Sequence, residues 1–257
     1  MCGVVAGLST GAVLADVATL GPAFTLSCDP AASGHLVSLD RLLSEPRILR
    51  AQVDAAATSL RSDEDRVAAS WLYGGMAARL VAPVLATAAV HGALPVLTGG
   101  DLRWRGHGAP GGAGWWLGSP RLVPWNDPDE VHGEIVGPLA GLASALLGTV
   151  AVSERLLWGE VAAAVAKVAR IVATGRPAAA APVADLATRL IERPPLLGTH
   201  TGAGRCTCCL AYRVPGGRTC ADCPLGPARP GTDVLAGTRR RGQDQRPPVL
   251  LDEVVSR

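Results

Sequence analysis

The sequence predicts an α+β protein that is mainly helical, with a small antiparallel sheet and a C-terminal cysteine-rich hairpin. Long stretches carry apolar residues at helical spacing, a middle region has short apolar runs separated by glycine and proline, and five cysteines cluster near the C-terminus. The chain has 257 residues, of which 48% are hydrophobic, and a formal charge of +2. It can therefore bury a core without cross-links, and its charge gives no reason to expect nucleic-acid binding.

The first helical stretch runs from Leu39 to about Val90, where apolar residues recur every three or four positions. Ser62 and Asp65 indicate a helix start inside it. Pro83 predicts a kink or the end of that helix, because proline cannot donate a backbone hydrogen bond.

The remaining elements follow in chain order. Residues 94–125 have the texture of antiparallel hairpins. Helical spacing returns around 129–147 and again over 157–171. Residues 177–182 predict an alanine- and proline-rich linker, followed by a short helix near 183–191.

Residues 135–152 carry no charge and approach the length that crosses a bilayer. Glycine, proline and alanine dilute their hydrophobicity, and no basic residue anchors either end. We therefore interpret this stretch as a buried core helix and expect no integral membrane span, which leaves room for peripheral membrane contact. The first twenty residues lack the basic start of a secretory signal, so a cytoplasmic location is expected.

The clustered cysteines are candidate metal ligands. Cys208 and Cys209 are adjacent, and ten residues later Cys220 and Cys223 form a Cys-x-x-Cys pair. Pro215-Gly216 suits the centre of a type II turn, so the intervening loop is expected to fold as a hairpin that brings the two pairs together. In a reducing compartment, clustered cysteines are interpreted first as metal ligands and second as a redox pair.

The spacing favours a binuclear centre. A Cys-x-x-Cys pair suits one tetrahedral metal, whereas the side chains of adjacent cysteines diverge and suit mononuclear zinc poorly. A 2Fe-2S cluster is favoured over structural zinc, which stays as an alternative. Cys2, Cys28 and Cys206 are interpreted as free, buried cysteines, although Cys206 with Cys208 offers a Cys-x-Cys alternative.

The cysteine pattern resembles the C-terminal motif of FhuF-like ferric siderophore reductases. The likeness includes Cys-Cys-Leu-Ala-Tyr-Arg-Val-Pro-Gly-Gly from Cys208 and Cys-Ala-Asp-Cys-Pro-Leu from Cys220. Upstream, residues 154–159 are similar to a Leu-Leu-Trp-Gly-Asn segment of the family, and residues 71–74 lie where it has an aromatic helical stretch. Glu160 departs from the pattern, because it stands where the family has asparagine.

The resemblance implies that Cys208, Cys209, Cys220 and Cys223 bind a 2Fe-2S cluster. The protein would then be an oxidoreductase that passes one electron to an Fe(III)-siderophore, so that Fe(II) is released in the cytoplasm. A separate donor, ferredoxin-like or another reductant, would supply the electron. No catalytic residue beyond the cluster is expected.

Three parts are expected along the chain on this basis. Residues 1–195 would form a helical, α+β siderophore-docking domain, residues 196–228 the cluster-binding segment, and residues 229–257 a mobile tail. Aromatic side chains could line a docking cleft, although a place in the core is favoured for them; they are Trp71, Tyr73, Trp104, Trp115, Trp116, Trp125 and Trp158.

Arginines flank the proposed ligands. Arg205, Arg213 and Arg218 could favour the reduced cluster and attract an anionic siderophore or an acidic electron donor. The alternative for all three is an ordinary solvated position on the surface.

Other functions stay open at this point. An iron-sulfur sensor or regulator could reach nucleic acid through 239–241, although no helix-turn-helix pattern accompanies these three arginines. His132-Gly133-Glu134 with the pair Cys220 and Cys223 is superficially similar to a zinc deaminase signature, but it leaves the adjacent cysteines without a role. A glycine-rich string at 106–111 lacks the helix that a dinucleotide site requires.

Overall fold

A computed structural model describes residues 8–28, 36–97, 101–106, 112–202 and 204–226. About 59% of these described residues are helical, with small antiparallel sheets and a cysteine-rich C-terminal region, so the predicted α+β class is confirmed. The helices are α1 (Thr10–Ala18), α2 (Leu39–Ser44), α3 (Pro46–Leu60), α4 (Asp65–His91), α5 (Pro128–Leu147), α6 (Glu154–Gly175) and α7 (Ala180–Ile191). The strands are β1 (Leu36–Ser38), β2 (Ala93–Pro95), β3 (Leu102–Arg105), β4 (Gly114–Leu117), β5 (Leu122–Pro124), β6 (His200–Thr201) and β7 (Gly204–Arg205).

Helix α4 is the centre of the fold. It begins at Asp65, as predicted, and most of its residues are buried, with α6 as its most extensive neighbour and α3 and α5 also packed against it. The helix continues through the buried Pro83 to His91, so the alternative that Pro83 ends it is wrong. By length and composition α4 could cross a membrane, but 78% of its most apolar window is buried inside the fold.

The strands form separate small sheets rather than a single sheet. Strand β3 pairs antiparallel with β1 and β4, and β2 pairs antiparallel with β5. Trp104 faces Trp115 across the β3 and β4 pair, and their ring centroids are 4.9 Å apart. Both rings are buried against the helices, which ties this sheet to the core.

The expected linker at 177–182 is wrong: Pro177–Ala179 form a 3-10 turn, and α7 starts at Ala180 because proline is tolerated in the first turn of a helix. Helix α5 matches the predicted 129–147 helix and buries one face in the core. The expected tail at 229–257 lies outside the described residues.

The chain after α7 returns to the central helices. Leu196 is buried, and the short β6 and β7 hairpin lies against α6. The 3-10 turn Ala211–Arg213 then contacts α4. We refer to the described residues between 8 and 202 as the helical body and to residues 204–226 as the cysteine segment.

Candidate metal centre

The cysteine segment is attached to the helical body by a few polar contacts. None of its residues is fully buried. The hydroxyl of Ser70, on α4, donates a hydrogen bond to the backbone oxygen of Cys209 at 2.9 Å. Upstream, the backbone N–H of Cys206 donates to the backbone oxygen of Thr199 at 2.9 Å. These contacts place the adjacent cysteines beside α4 and next to the chain that follows α7.

The predicted turn is present, although the loop around it differs from a simple hairpin. The N–H of Gly217 donates to the carbonyl of Val214 at 2.7 Å, and Gly216 has a φ of +73°, as the third residue of a type II turn requires. Instead of a strand, the 3-10 turn Ala211–Arg213 precedes it. The loop still returns to its start, so the two cysteine pairs meet.

The four sulfurs lie in two close pairs. The Sγ atoms of Cys209 and Cys220 are 2.8 Å apart, and those of Cys208 and Cys223 are 3.9 Å apart. Two thiolates on one tetrahedral metal at a bond length of ~2.3 Å are about 3.7 Å apart. The second pair already has that separation, and the first would open by about 1 Å to reach it.

This grouping favours a binuclear centre over a single ion. Each pair joins one of the adjacent cysteines to one cysteine of the Cys-x-x-Cys pair. Within the described residues, no three His, Cys, Asp or Glu side chains gather where one ion could bind them. Four thiolates in two pairs fit two irons, whereas structural zinc needs all four around one point. The same observation counts against a deaminase-like site made of His132, Cys220 and Cys223.

The pKa values of the thiols differ within the cluster. The pKa of Cys209 is lowered to about 7, mainly because Cys220 donates a hydrogen bond to its thiolate. Burial raises the pKa of Cys208 to about 11, although the N–H of Leu210, 3.4 Å from its Sγ, acts in the opposite direction.

Two of the flanking arginines are paired with acids of the helical body. Arg205 binds Glu160 of α6, and Arg213 donates to Glu64 at 2.8 Å. Arg205 is therefore not a free surface charge, and the alternative of a solvated position is wrong for this arginine. Arg218 is exposed.

Glu160 was missed as a site residue from the sequence. Its carboxylate is buried, and it is the only charged side chain between Arg155 and Lys167. A single charge inside an apolar helical stretch is the signal that could have identified it, because such a charge needs a buried partner.

Glycines in both upstream segments that resemble the family make room for these contacts. A Cβ at Gly159 would collide with Oγ1 of Thr207, and a Cβ at Gly74 would lie 2.7 Å from Oε2 of Glu160. The similar segments, 71–74 and 154–159, therefore form the surface that receives the cysteine segment.

The remaining expectations divide between the core and the surface. The rings of Tyr73, Trp104, Trp115 and Trp158 are buried in the core, while Trp71, Trp116 and Trp125 are partly buried. Cys206 is exposed, so its interpretation as a buried thiol is wrong, and Cys28 is half-buried. Cys2 lies outside the described residues.

Comparison with known families gives one match at this site. Residues 205–225 match the FhuF 2Fe-2S C-terminal domain, and this range contains all four paired cysteines. No curated protein matches the chain. The domain match and the two sulfur pairs agree on the cofactor: the cysteine segment is similar to the FhuF 2Fe-2S C-terminal domain, and its cofactor is a 2Fe-2S cluster.

Proposed function

We propose that the protein is an iron-sulfur ferric siderophore reductase of the cytoplasm. It takes one electron from a separate donor and passes it to Fe(III) held by a siderophore. The observation that carries this proposal is the pairing of four thiols in a surface segment that matches the FhuF 2Fe-2S domain. In this arrangement Cys209 and Cys220 would hold one iron, and Cys208 and Cys223 would hold the other.

The chemistry requires only a change in the oxidation state of the substrate iron. Siderophores bind Fe(III) through hard oxygen donors, and such sites bind the larger, less charged Fe(II) far more weakly. The bound cluster supplies one electron at a time, so Fe(III)-siderophore plus one electron gives Fe(II) and the free siderophore. The donor loses one electron for each iron released.

The residues around the thiols are suited to this task. The four cysteines are only half-buried, so a bulky chelate can approach them without entering a deep cavity. Exposed Arg218 adds positive charge that can attract an anionic chelate. The reaction needs no nucleophile and no general acid or base from the chain. The helical body provides the docking domain in this proposal.

The test is a direct electron transfer under anaerobic conditions. The holoprotein is reduced, the excess reductant is removed, and ferric hydroxamate, catecholate and hydroxycarboxylate siderophores are added in turn. We expect at least one class to restore the visible absorption of the oxidised cluster, with one Fe(II) trapped per electron. The matched Ga(III) chelate should leave the reduced protein unchanged, because Ga(III) binds the same ligands and accepts no electron.

If the reduced protein reacts with none of the chelate classes, the proposed reductase function is contradicted and the iron-sulfur sensor is favoured. A protein purified with one zinc per chain and no acid-labile sulfide would contradict both functions.

A further inference from the structure

Glu160 and Arg205 form a buried ion pair between the helical body and the cysteine segment. The two Nη atoms of Arg205 donate to the two carboxylate oxygens of Glu160 at 2.7 and 2.9 Å. The side chains of Arg205 and Glu160 are 11% and 9% exposed. Burying two charges is unfavourable unless their geometry is good, and here the guanidinium fork matches the carboxylate.

The same guanidinium reaches the far end of the cysteine segment. Nε of Arg205 donates to Oδ2 of Asp222 at 3.2 Å, and the backbone N–H of Arg205 donates to the backbone oxygen of Asp222, also at 3.2 Å. Asp222 lies inside the Cys-x-x-Cys pair, and Cys208, Cys209 and Cys220 lie between the two joined residues. One side chain therefore holds both ends of the cluster-binding loop against α6.

The helical body leaves a place for this ion pair. Gly74 of α4 has no side chain where Oε2 of Glu160 lies. Burial opposes the charge on Arg205, but the charge and hydrogen bonds of Glu160 outweigh it and raise the pKa of the guanidinium above its usual value. A neutral residue at 160 would leave a buried arginine balanced by Asp222 alone.

The charge of Glu160 also reaches the sulfur ligands. Glu160 binds Arg205, and Arg205 binds Asp222, which lies between the proposed ligands Cys220 and Cys223. The two carboxylates and one guanidinium leave a net charge of −1 beside the cluster. A reduced cluster is one electron more negative, so this negative charge disfavours reduction.

We propose that Glu160, acting through Arg205 and Asp222, is a positioning residue that holds the cysteine segment on α6 and lowers the reduction potential of its cluster. The inference rests on the cysteine ligands proposed above. It concerns retention of the cluster and its potential, and it does not depend on the identity of the substrate.

The test compares Glu160→Gln with the parent protein in a redox titration followed by electron paramagnetic resonance at fixed pH. We expect a positive shift of the potential and faster loss of iron to a chelator. Glu64→Gln is the matched control: it removes the same charge from an ion pair that also reaches the cysteine segment, but whose side chains are 35% and 33% exposed. Solvent screens that pair, so neither quantity should change.

A second substitution separates position from charge. Arg205→Lys keeps the positive charge but loses the two-pronged contact with Glu160. We expect faster iron loss without the positive shift in potential. If Arg205→Lys retains iron as the parent does, the positioning role is wrong.

A parental potential and parental iron retention in Glu160→Gln would overturn the proposal, and so would an equal shift in Glu64→Gln. If circular dichroism shows that Glu160→Gln does not fold, Asp222→Asn carries the test, because Asp222 is 33% exposed and touches the same guanidinium. An unchanged reduction potential in Asp222→Asn would also overturn the proposal. A parent protein without two irons per chain would refute the proposed function instead, so the two failures are distinct.

Discussion

The helical body and the cysteine segment are stabilised in different ways. The helical body has a continuous apolar core centred on α4, in which Leu72, Met76 and Leu85 are fully buried. The cysteine segment buries none of its described residues completely and is held by hydrogen bonds and ion pairs, with Leu210 packed against the core. Stability and cluster binding should therefore respond to different substitutions.

The largest expected effect is the loss of a ligand. Cys209→Ala removes one sulfur from the pair with Cys220, and we expect complete loss of the cluster while the helical content is retained. Iron and acid-labile sulfide per chain, with circular dichroism of the same sample, measure both. The control is Cys206→Ala: Cys206 is exposed and belongs to neither sulfur pair, so the cluster should remain. Cluster loss in the control would mean that the ligand set is wrong.

The second effect tests the helical body. Leu85→Ala leaves a cavity in the centre of the core and should lower the free energy of unfolding by about 2–5 kcal/mol. Urea titration followed by circular dichroism measures it, and the iron content per folded chain should not change. Leu147→Ala, at a residue that is 37% exposed, should change stability by only ~0.5 kcal/mol. Similar effects of the two leucine variants would contradict the placement of the core.

The third substitution should stabilise the helical body but weaken cluster binding by the cysteine segment. Gly159→Ala favours α6 by about 1 kcal/mol through helix propensity, yet the new Cβ collides with Thr207 of the cysteine segment. We expect faster iron loss without a lower unfolding midpoint. Gly133→Ala on α5 meets open space, so it should stabilise the helix and leave the cluster unaffected. If Gly159→Ala retains iron as Gly133→Ala does, the close approach at Thr207 is unimportant.

The smallest effect concerns a single hydrogen bond. Ser70→Ala leaves the backbone oxygen of Cys209 without its donor and should weaken attachment of the segment by about 1 kcal/mol. Hydrogen exchange should show less protection at residues 208–213, with the core of α4 unchanged. Ser144→Ala, at an exposed site on α5, is the control. Unchanged exchange at 208–213 would remove Ser70 from the attachment.

The elements that could be predicted from sequence are those with a repeating local signal. Apolar spacing identified α4 and α6, and Pro215-Gly216 identified the turn, because each depends on neighbouring residues. Strand β1 was missed, since its three residues are too few to show alternation. The cysteine spacing indicated the cofactor, but spacing alone does not show which sulfurs pair.

The contacts that hold the site could not be predicted in the same way. Glu160 is 45 residues from Arg205, and Ser70 is 139 residues from Cys209. No local sequence pattern connects such distant positions, because their contact exists only after α4 and α6 have packed together. The exposure of Cys206 could not be predicted from sequence either, since the burial of a single thiol depends on which surfaces the rest of the chain covers.

Leu210 gives the cysteine segment a further property. Its φ of +64° is a left-handed conformation that a branched side chain rarely adopts, and it accompanies the 3.4 Å contact between its own N–H and Sγ of Cys208. A donor on a thiolate withdraws electron density from the sulfur and makes an iron-sulfur centre easier to reduce. With the proposed cluster bound, the N–H of Leu210 would raise its reduction potential, opposite to the effect proposed for Glu160 and Asp222, so backbone conformation as well as side-chain charge would set that potential.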